Sequence, residues 1–140
     1  MKACNPTRFT ISLGGIFIAR GFADGEFFSA DPESDTVGSV AGTDGEVAVS
    51  VLYDARWHVT LKLLQTSDEN LKCSQLYNLK RRSHGAIGFF PFLARHVDTG
   101  EFLTATDACF ERPPTVSQDR TATSREWKIL VTNGDYGFSR

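Results

Sequence analysis

Three cysteines, Cys4, Cys73 and Cys109, are the residues whose chemistry is easiest to recognise from spacing. They lie far apart, form no Cys-x-x-Cys pair and have no pair of histidines nearby, so the pattern favours buried or unreactive thiols over a zinc or redox site. An odd number of thiols cannot pair completely within one chain. If a disulfide forms, we expect a cysteine to reach a second copy, with Cys4 on the N-terminal arm best placed.

Three histidines, His58, His84 and His96, are the candidate acid–base groups. They are isolated from one another, and His58 lies on the polar side of a predicted strand, so we interpret all three as structural or surface residues. Asp44 and Glu46 lie two residues apart on an extended segment, the minimum for a pair of catalytic carboxylates. This pair alone gives weak support for a glycosidase-like site.

Sequence motifs of the common enzyme families are missing from this chain: GxSxG, Walker A, HExxH and the Rossmann fingerprint. The stretch 42–45 lacks the lysine and the strand-to-helix context of a phosphate loop, and is typical of a turn. We therefore predict a protein that is not an enzyme and has no cofactor or metal. A small β-barrel binding module or hydrolase is the alternative.

The length of 140 residues suits one compact domain, residues 1–140, and the composition, 41% hydrophobic and 23% charged, is that of a globular protein. A net charge of −2 and a pI near 5.9 argue against a sequence-specific DNA-binding protein. No apolar run is long enough for a membrane span, and residues 1–6 lack the apolar core of a signal peptide. We expect a protein made in a cytosol.

The charges are unevenly distributed along the chain. Residues 21–54 contain eight acidic groups and no basic group. Such a block is typical of a solvated face. Its members are Asp24, Glu26, Asp31, Glu33, Asp35, Asp44, Glu46 and Asp54.

Alternating apolar and polar residues predict hairpins in the first part of the chain. Residues 9–13 and 16–18 flank two glycines and predict a first hairpin. Residues 37–40 and 47–51 flank the turn Thr43-Asp44-Gly45 and predict a second hairpin or a long exposed ribbon. One face of its second strand is expected to pack inward. That face carries Val47, Val49, Val51 and Tyr53.

The second part of the chain predicts further strands around one helix. Residues 57–63 predict a strand, residues 67–81 a helix, and residues 87–93 an edge strand because they contain Pro91. Strands over 102–110 and 127–131 complete the pattern. The apolar helix residues cover a broad arc that predicts burial on two sides: Leu71, Cys73, Leu76, Tyr77 and Leu79. The fold class is mainly β, an antiparallel β-sandwich or barrel of seven or eight strands with one helix plugging one opening.

Three stretches together resemble one family, the bacteriophage tail tube proteins. Residues 37–48 are similar to its "GADGEV" signature, and residues 59–71 resemble its "VTLxLxQTSxxN" passage from strand to helix. Residues 108–114, followed by 125–127, match its "AxxxxxPP…REW" ending. The resemblance covers roughly residues 9–133. Cys73 and Cys109 depart from the pattern.

The resemblance implies a structural virion protein with a fold similar to the Hcp tube of secretion systems. Hexameric rings of such a protein stack into the tube that conducts the genome, most often inside a contractile sheath. The implied partners are sheath, tape measure and baseplate or neck proteins, with DNA passing without specific binding and no membrane. The implied location is the virion tail, assembled in the bacterial host cytoplasm. An Hcp-like tube of a bacterial injection or secretion system is the alternative.

The resemblance also gives the charged segments expected places. Acidic side chains repel the DNA backbone, so we expect them to face the lumen or the junction between rings. These are Asp24, Glu26, Asp31, Glu33, Asp35, Asp44 and Glu46. The stretch 31–46 is expected to be an extended stacking loop, with the N-terminal arm, residues 1–8, as a second contact. Lys80-Arg81-Arg82 is expected either to contact other subunits or the outer surface, or simply to end the helix.

Overall fold

A computed structural model describes residues 8–34, 36–51, 54–81 and 89–139. Within these ranges the chain forms ten strands and one helix. In chain order they are β1 (Phe9–Leu13), β2 (Ile16–Ile18), β3 (Phe28–Pro32), β4 (Val37–Ala41), β5 (Val47–Val51), β6 (Trp57–Leu64), α1 (Glu69–Arg81), β7 (Phe90–His96), β8 (Glu101–Arg112), β9 (Ser124–Val131) and β10 (Asp135–Phe138).

Eight of the strands form one antiparallel sheet with the order β2-β1-β7-β8-β9-β6-β3 and with β10 also paired to β8. The long strand β8 has different neighbours along its length: its residues 101–104 pair with β10, whereas its residues 108–112 pair with β9. The remaining strands, β4 and β5, pair only with each other among the described residues. The predicted fold class is confirmed: mainly β and antiparallel, with one helix.

The core lies on the inward face of the main sheet. Strand β6 shows the alternation that the sequence predicts, since every second residue from Val59 to Leu63 is buried. Strand β7, which the sequence predicts only as an apolar strand, alternates as well, with Phe90, Phe92 and Ala94 buried. The helix adds Cys73 and Leu76 to the same core. The largest fully enclosed side chains are Phe90, Phe92, Ile11, Leu13, Ile18, Leu61, Leu63 and Ile129.

The helix begins at Glu69, two residues later than predicted, because Ser67 lies outside it as a cap: its Oγ accepts the Glu69 N–H at 3.2 Å. Asn70 then fixes the helix to the sheet. Its Nδ2 donates to the Leu64 carbonyl at 2.7 Å, and its Oδ1 accepts from Trp127 Nε1 at 3.0 Å. The first helical turn is thereby tied to both β6 and β9.

The predicted inward face of the second hairpin is wrong. All residues of β5, including Val47, Val49 and Val51, are exposed, because no other described strand packs on this hairpin. Tyr53 lies outside the described residues. The hairpin itself and its turn are where the sequence predicts them.

The predicted edge position of the strand with Pro91 is also wrong. Strand β7 lies between β1 and β8. The proline is accommodated at a register shift between Phe90 and Phe92, where it needs no N–H, and its carbonyl accepts the Gly14 N–H at 2.8 Å. Ile87 and Gly88 lie outside the described residues.

Two strands have no counterpart in the predicted pattern. β3 contains Asp31 and Pro32, which are poor strand residues, but it is the end strand of the sheet and therefore needs partners on one side only. β10 is short and contains Gly137. Both form because a long neighbouring strand supplies the pairing.

Substitution of Gly21 by alanine is expected to destabilise the subunit more than the same substitution at Gly25. Both glycines have φ near +80°, a conformation that costs other residues about 1–2 kcal/mol. A Cβ at Gly21 would overlap the Ser67 hydroxyl and lie 2.9 Å from Ser67 Cβ, whereas nothing lies within 4 Å of one at Gly25. We expect Gly21→Ala to cost about 1–3 kcal/mol more than Gly25→Ala. Urea unfolding of both variants measures this, and equal losses would contradict the close packing of the helix cap.

Candidate functional site

The most exposed element of the subunit is the ribbon formed by β4 and β5. Its tip is a tight turn in which the Gly42 N–H donates to the Glu46 carbonyl at 2.6 Å and Asp44 Oδ1 accepts the Glu46 N–H at 3.1 Å. Valine side chains on both strands are between 52% and 71% exposed. They are Val37, Val40, Val47, Val49 and Val51. A two-stranded ribbon with so much apolar surface is typical of an interaction element.

The ribbon base, defined here as Glu33, Ser34, Asp54 and Arg56, holds the two ends of the ribbon together. Arg56 donates to both carboxylate oxygens of Asp54, with Nε–Oδ1 and Nη2–Oδ2 distances of 2.9 and 2.8 Å. Ser34 Oγ donates to Asp54 Oδ2 at 3.3 Å, and the Glu33 N–H donates to the Arg56 carbonyl at 2.9 Å. The hydrogen bonds from Arg56 lower the pKa of Asp54 to about 2.

His58 connects the ribbon base to the main sheet. Its Nε2 contacts Glu33 Oε2, and its Nδ1 lies 3.0 Å from Glu111 Oε1 on β8. The contact with Glu33, and then the negative charge of Glu111, raise the pKa of His58. The interpretation of His58 as a structural residue on the polar side of a strand agrees with this position.

The acidic residues of the block do not form one continuous patch. Six of the seven predicted site residues are described, and all six are exposed. Asp24 and Glu26 precede β3, Asp31 and Glu33 lie at its far end, and Asp44 and Glu46 lie at the ribbon tip: the three pairs occupy separate places on the chain. Asp35 lies outside the described residues. The eighth acid of the block, Asp54, is neutralised by Arg56 in the ribbon base.

A second surface lies where the helix begins. Gln65 Oε1 accepts from the Thr123 N–H and Oγ1 at 3.1 and 3.3 Å, and Gln65 N donates to the Thr123 carbonyl at 2.8 Å. Arg125 donates to Thr123 Oγ1 and, at 2.6 Å, to the Ser117 carbonyl. These bonds hold the segment 113–123, which has no secondary structure of its own, beside the first turn of α1.

A groove of about 510 Å³ runs between this segment and the helix. Its lining includes Pro113, Pro114, Trp127 and two exposed apolar residues, Leu71 at 60% and Val116 at 81% exposed. Leu79, further along the helix, is 66% exposed. The helix therefore buries one side in this subunit and leaves an apolar side open.

The cysteines differ in their surroundings. Cys73 is fully buried, which raises the pKa of its thiol to about 12, whereas Cys109 is half-buried on β8. Cys4 lies outside the described residues, and so does His84. In the part of the chain that is described, no three His, Cys, Asp or Glu side chains are close enough together to hold a metal ion. None of its helices has the length and apolarity to cross a membrane.

Sequence reasoning missed the residues that join the surfaces to the fold. Arg56 and Glu111 carry no motif. Arg56 meets Asp54 through a local contact two residues away, whereas Glu111 on β8 reaches His58 on β6 across β9, which lies between these two strands. A usable signal was present in Asp54-Ala55-Arg56, an acid and a base two residues apart on an extended segment. Two of the three stretches behind the family resemblance, in contrast, do converge: Gln65, Asn70 and Trp127 all lie around the groove.

Comparison with known sequences gives one family. The sequence profile described as "Bacteriophage PhiTE tail tube protein" matches residues 13–137. No curated protein matches the chain in sequence.

Comparison with solved structures gives tube and cap proteins of contractile injection systems. The alignment with the anti-feeding prophage cap (AFP tube terminating cap) has a TM-score of 0.61 at 8% sequence identity, and it covers 99% of this chain and 93% of the cap chain. The PVC sheath-tube complex of an extracellular contractile injection system gives a TM-score of 0.60 at 12% identity, with 95% of this chain and 90% of the other chain covered. The PVC sheath/tube terminator gives 0.58 at 11% identity, with 93% of each chain covered. At sequence identities of 8% to 12%, the similarity to these structures is a similarity of fold.

Proposed function

The chain belongs to the bacteriophage PhiTE tail tube protein family, and on that premise we propose that six copies close into a ring and that rings stack into a tube. Its role is structural: it is a tail tube protein and a component of the virion tail. The observation that carries the proposal of assembly is the ribbon, a hairpin with every valine exposed and, within the described ranges, no strand packed on it.

Ring closure is supported by the ends of the main sheet. β2 and β3 are its two end strands, and each leaves one row of backbone N–H and C=O groups without a strand partner in the described subunit. An open edge of this kind favours aggregation unless it is covered or paired. Strand pairing between neighbouring copies would remove both edges at once and continue the sheet around the ring.

Stacking is assigned to the ribbon, residues 37–51, rather than to the whole stretch 31–46, because β3 occupies the beginning of that stretch. Exposed valines supply apolar area for a contact with the adjacent ring. The N-terminal arm, residues 1–8, is a second contact in this proposal; of the arm, only Arg8 is described, and it pairs with Asp98 at 3.1 Å.

The lumen of the tube is proposed to be acidic. Glu33 contacts His58, so Asp24, Glu26, Asp31, Asp44 and Glu46 are the described candidates for a wall or ring junction that repels the DNA phosphates. The same lumen would let DNA pass without specific binding. At the end of the helix, Lys80 and Arg81 are then contacts to another subunit or to the outer surface.

The proposed partners follow from the machines that contain such tubes. Sheath protein is the first, since two of the similar structures are the PVC sheath-tube complex and the PVC sheath/tube terminator. Tape measure and baseplate or neck proteins complete the list, and assembly takes place in the host cytoplasm. An Hcp-like tube of an injection or secretion system is the second candidate, because the similar structures come from injection systems. In either case we propose no enzymatic activity.

An intersubunit disulfide, if one forms, is proposed to use Cys109 or Cys4. Cys73 is enclosed in the core, and its raised pKa keeps the thiol protonated and unreactive. A ladder of covalent oligomers on a non-reducing gel of assembled particles, lost in Cys109→Ser, would support the pairing.

Electron cryomicroscopy of the purified chain tests the proposal directly. We expect six-fold rings or tubes in which the ribbon crosses from one ring to the next and most of the acidic candidates face the axis. A stable monomer at high protein concentration would contradict the assembly. A tube with these acids on its outer surface would contradict the acidic lumen and leave the assembly standing.

A further inference from the structure

The two ring nitrogens of His58 face carboxylates from two different parts of the fold. Nε2 contacts Glu33 in the ribbon base, and Nδ1 lies 3.0 Å from Glu111 Oε1 at the end of β8. All three side chains are between 34% and 39% exposed, so they are accessible to protons from solvent.

Only one protonation state satisfies both contacts. A neutral imidazole has one N–H donor and one acceptor nitrogen, whereas the imidazolium has two donors. A carboxylate accepts hydrogen bonds and cannot donate when ionised. If His58 is neutral, one of the two carboxylates therefore faces a nitrogen lone pair, and that contact becomes repulsive.

The other charged groups around His58 do not replace it. Arg56 is held by both oxygens of Asp54 and reaches Glu33 only at 3.9 Å, and Lys128 on β9 pairs with Glu126 at 3.2 Å. Asp31 is the register partner of His58 on β3 and adds negative charge. The titratable and charged groups nearest to His58 on the paired strands are Asp31, Cys109, Glu111, Arg112, Glu126 and Lys128, and those of the ribbon base are Glu33, Asp54 and Arg56.

We infer that His58, as a doubly protonated imidazolium, is a positioning residue that fixes the ribbon base to the main sheet, and that loss of its proton releases this base. Glu33 belongs to the segment that enters the ribbon, whereas Glu111 belongs to a strand that pairs with β7 and β9. The imidazolium is thus the side chain that joins them. The inference concerns a single subunit; its effect on stacking rests on the proposed function.

The direction of the pH dependence follows from the raised pKa of His58. A group whose pKa is higher in the folded protein stabilises it fully below its unfolded value, about 6.5, and loses that contribution as the pH rises through the folded value. The ribbon base is therefore fixed in mild acid and released as the pH rises through the folded pKa of His58.

Hydrogen exchange in the full-length chain, followed by mass spectrometry of peptides containing Glu33, tests the inference. The Glu33 N–H donates to the Arg56 carbonyl at 2.9 Å, so its protection reports the ribbon base. After correction for the intrinsic effect of pH, we expect protection to fall about tenfold for each unit by which folding raises the pKa of His58. The fall should coincide with the titration of the ring, measured by NMR.

Three variants separate this role from a merely structural one. His58→Gln is expected to abolish the pH-dependent step, and His58→Arg, which stays charged, to keep the high protection at alkaline pH. Asp135→Asn removes an exposed carboxylate on β10 of the same sheet, away from His58, and is the control that should leave the step unchanged. A step that persists in His58→Gln would overturn the inference, and so would a loss of protection in His58→Arg.

Tube length measured at a pH below and a pH above the titration of His58 distinguishes an effect within the subunit from an effect on stacking. Shorter tubes at the higher pH in the wild type alone would link the ribbon base to stacking. A protection step without any change in tube length would keep the inference and remove its consequence for assembly.

Discussion

A subunit in which a short Gly-Ser linker replaces residues 35–53 is expected to fold and to form no long tubes. The ribbon shares no hydrogen-bonded strand with the main sheet among the described residues, so its removal leaves the core intact. Its ends are close together, since Ser34 Oγ and Asp54 Oδ2 are 3.3 Å apart, and a short linker can join them without strain. Electron microscopy should show single rings or short stacks in place of tubes.

A milder variant shows whether stacking requires the apolar surface of the ribbon. Val40→Thr with Val49→Thr keeps the β-branched shape and the strand propensity but replaces exposed methyl groups with hydroxyls. We expect an intermediate loss of tube length. Matched circular dichroism and unfolding curves are the folding control for both variants. Tubes of normal length from the linker variant would contradict the assignment of stacking to the ribbon.

Replacing Trp127 with alanine is expected to produce a large loss of stability. The indole is 4% exposed, its ring lies 5.4 Å from that of Phe110, and its Nε1 donates to Asn70 Oδ1 at 3.0 Å. Removal of a buried tryptophan costs about 3–5 kcal/mol through lost burial and the cavity that remains. Urea unfolding of the unassembled subunit measures this loss.

A double-mutant cycle isolates the hydrogen bond that fixes the helix. Asn70→Ala leaves the indole N–H and the Leu64 carbonyl without this partner and is expected to cost about 1–3 kcal/mol. Trp127→Phe keeps an aromatic ring in the core but has no N–H. The two changes together should cost less than their sum, by about 0.5 kcal/mol or more.

Asn78→Ala, on the same helix, is the matched control for helix propensity, since the Asn78 side chain makes no hydrogen bond to the described residues. Strict additivity of Asn70→Ala and Trp127→Phe would show that the helix is held by packing alone. A loss as large in Asn78→Ala as in Asn70→Ala would point to helix propensity instead.

The sequence predicts the elements of the fold well wherever local pattern and burial agree. Leu61 and Leu63 alternate with polar residues on β6, and the structure buries them as predicted. The pattern failed where neighbours override local preference. Pro91 entered a central strand at a register shift, and Asp31 entered an end strand that needs pairing on one side only.

The candidate site was less accessible from sequence. The exposed hairpin and the acidic residues at its tip could be read from the turn around Asp44. The exposure of the ribbon valines on both faces could not be predicted. Alternation shows that a strand has two different faces, but it does not show whether either face is covered within the subunit. The contacts of His58 join residues far apart in the chain, and no local signal reports such a distance.

The exposed ribbon has a consequence for the subunit before it assembles. In the proposed assembly, neighbouring subunits cover the five ribbon valines. In the free chain these exposed valines and the open sheet edges favour irregular β-pairing with other copies. Asp44 and Glu46 at the ribbon tip then act as gatekeepers, since like charges keep two free ribbons apart. The same mass action that builds the tube should also make the measured stability of the subunit rise with its concentration.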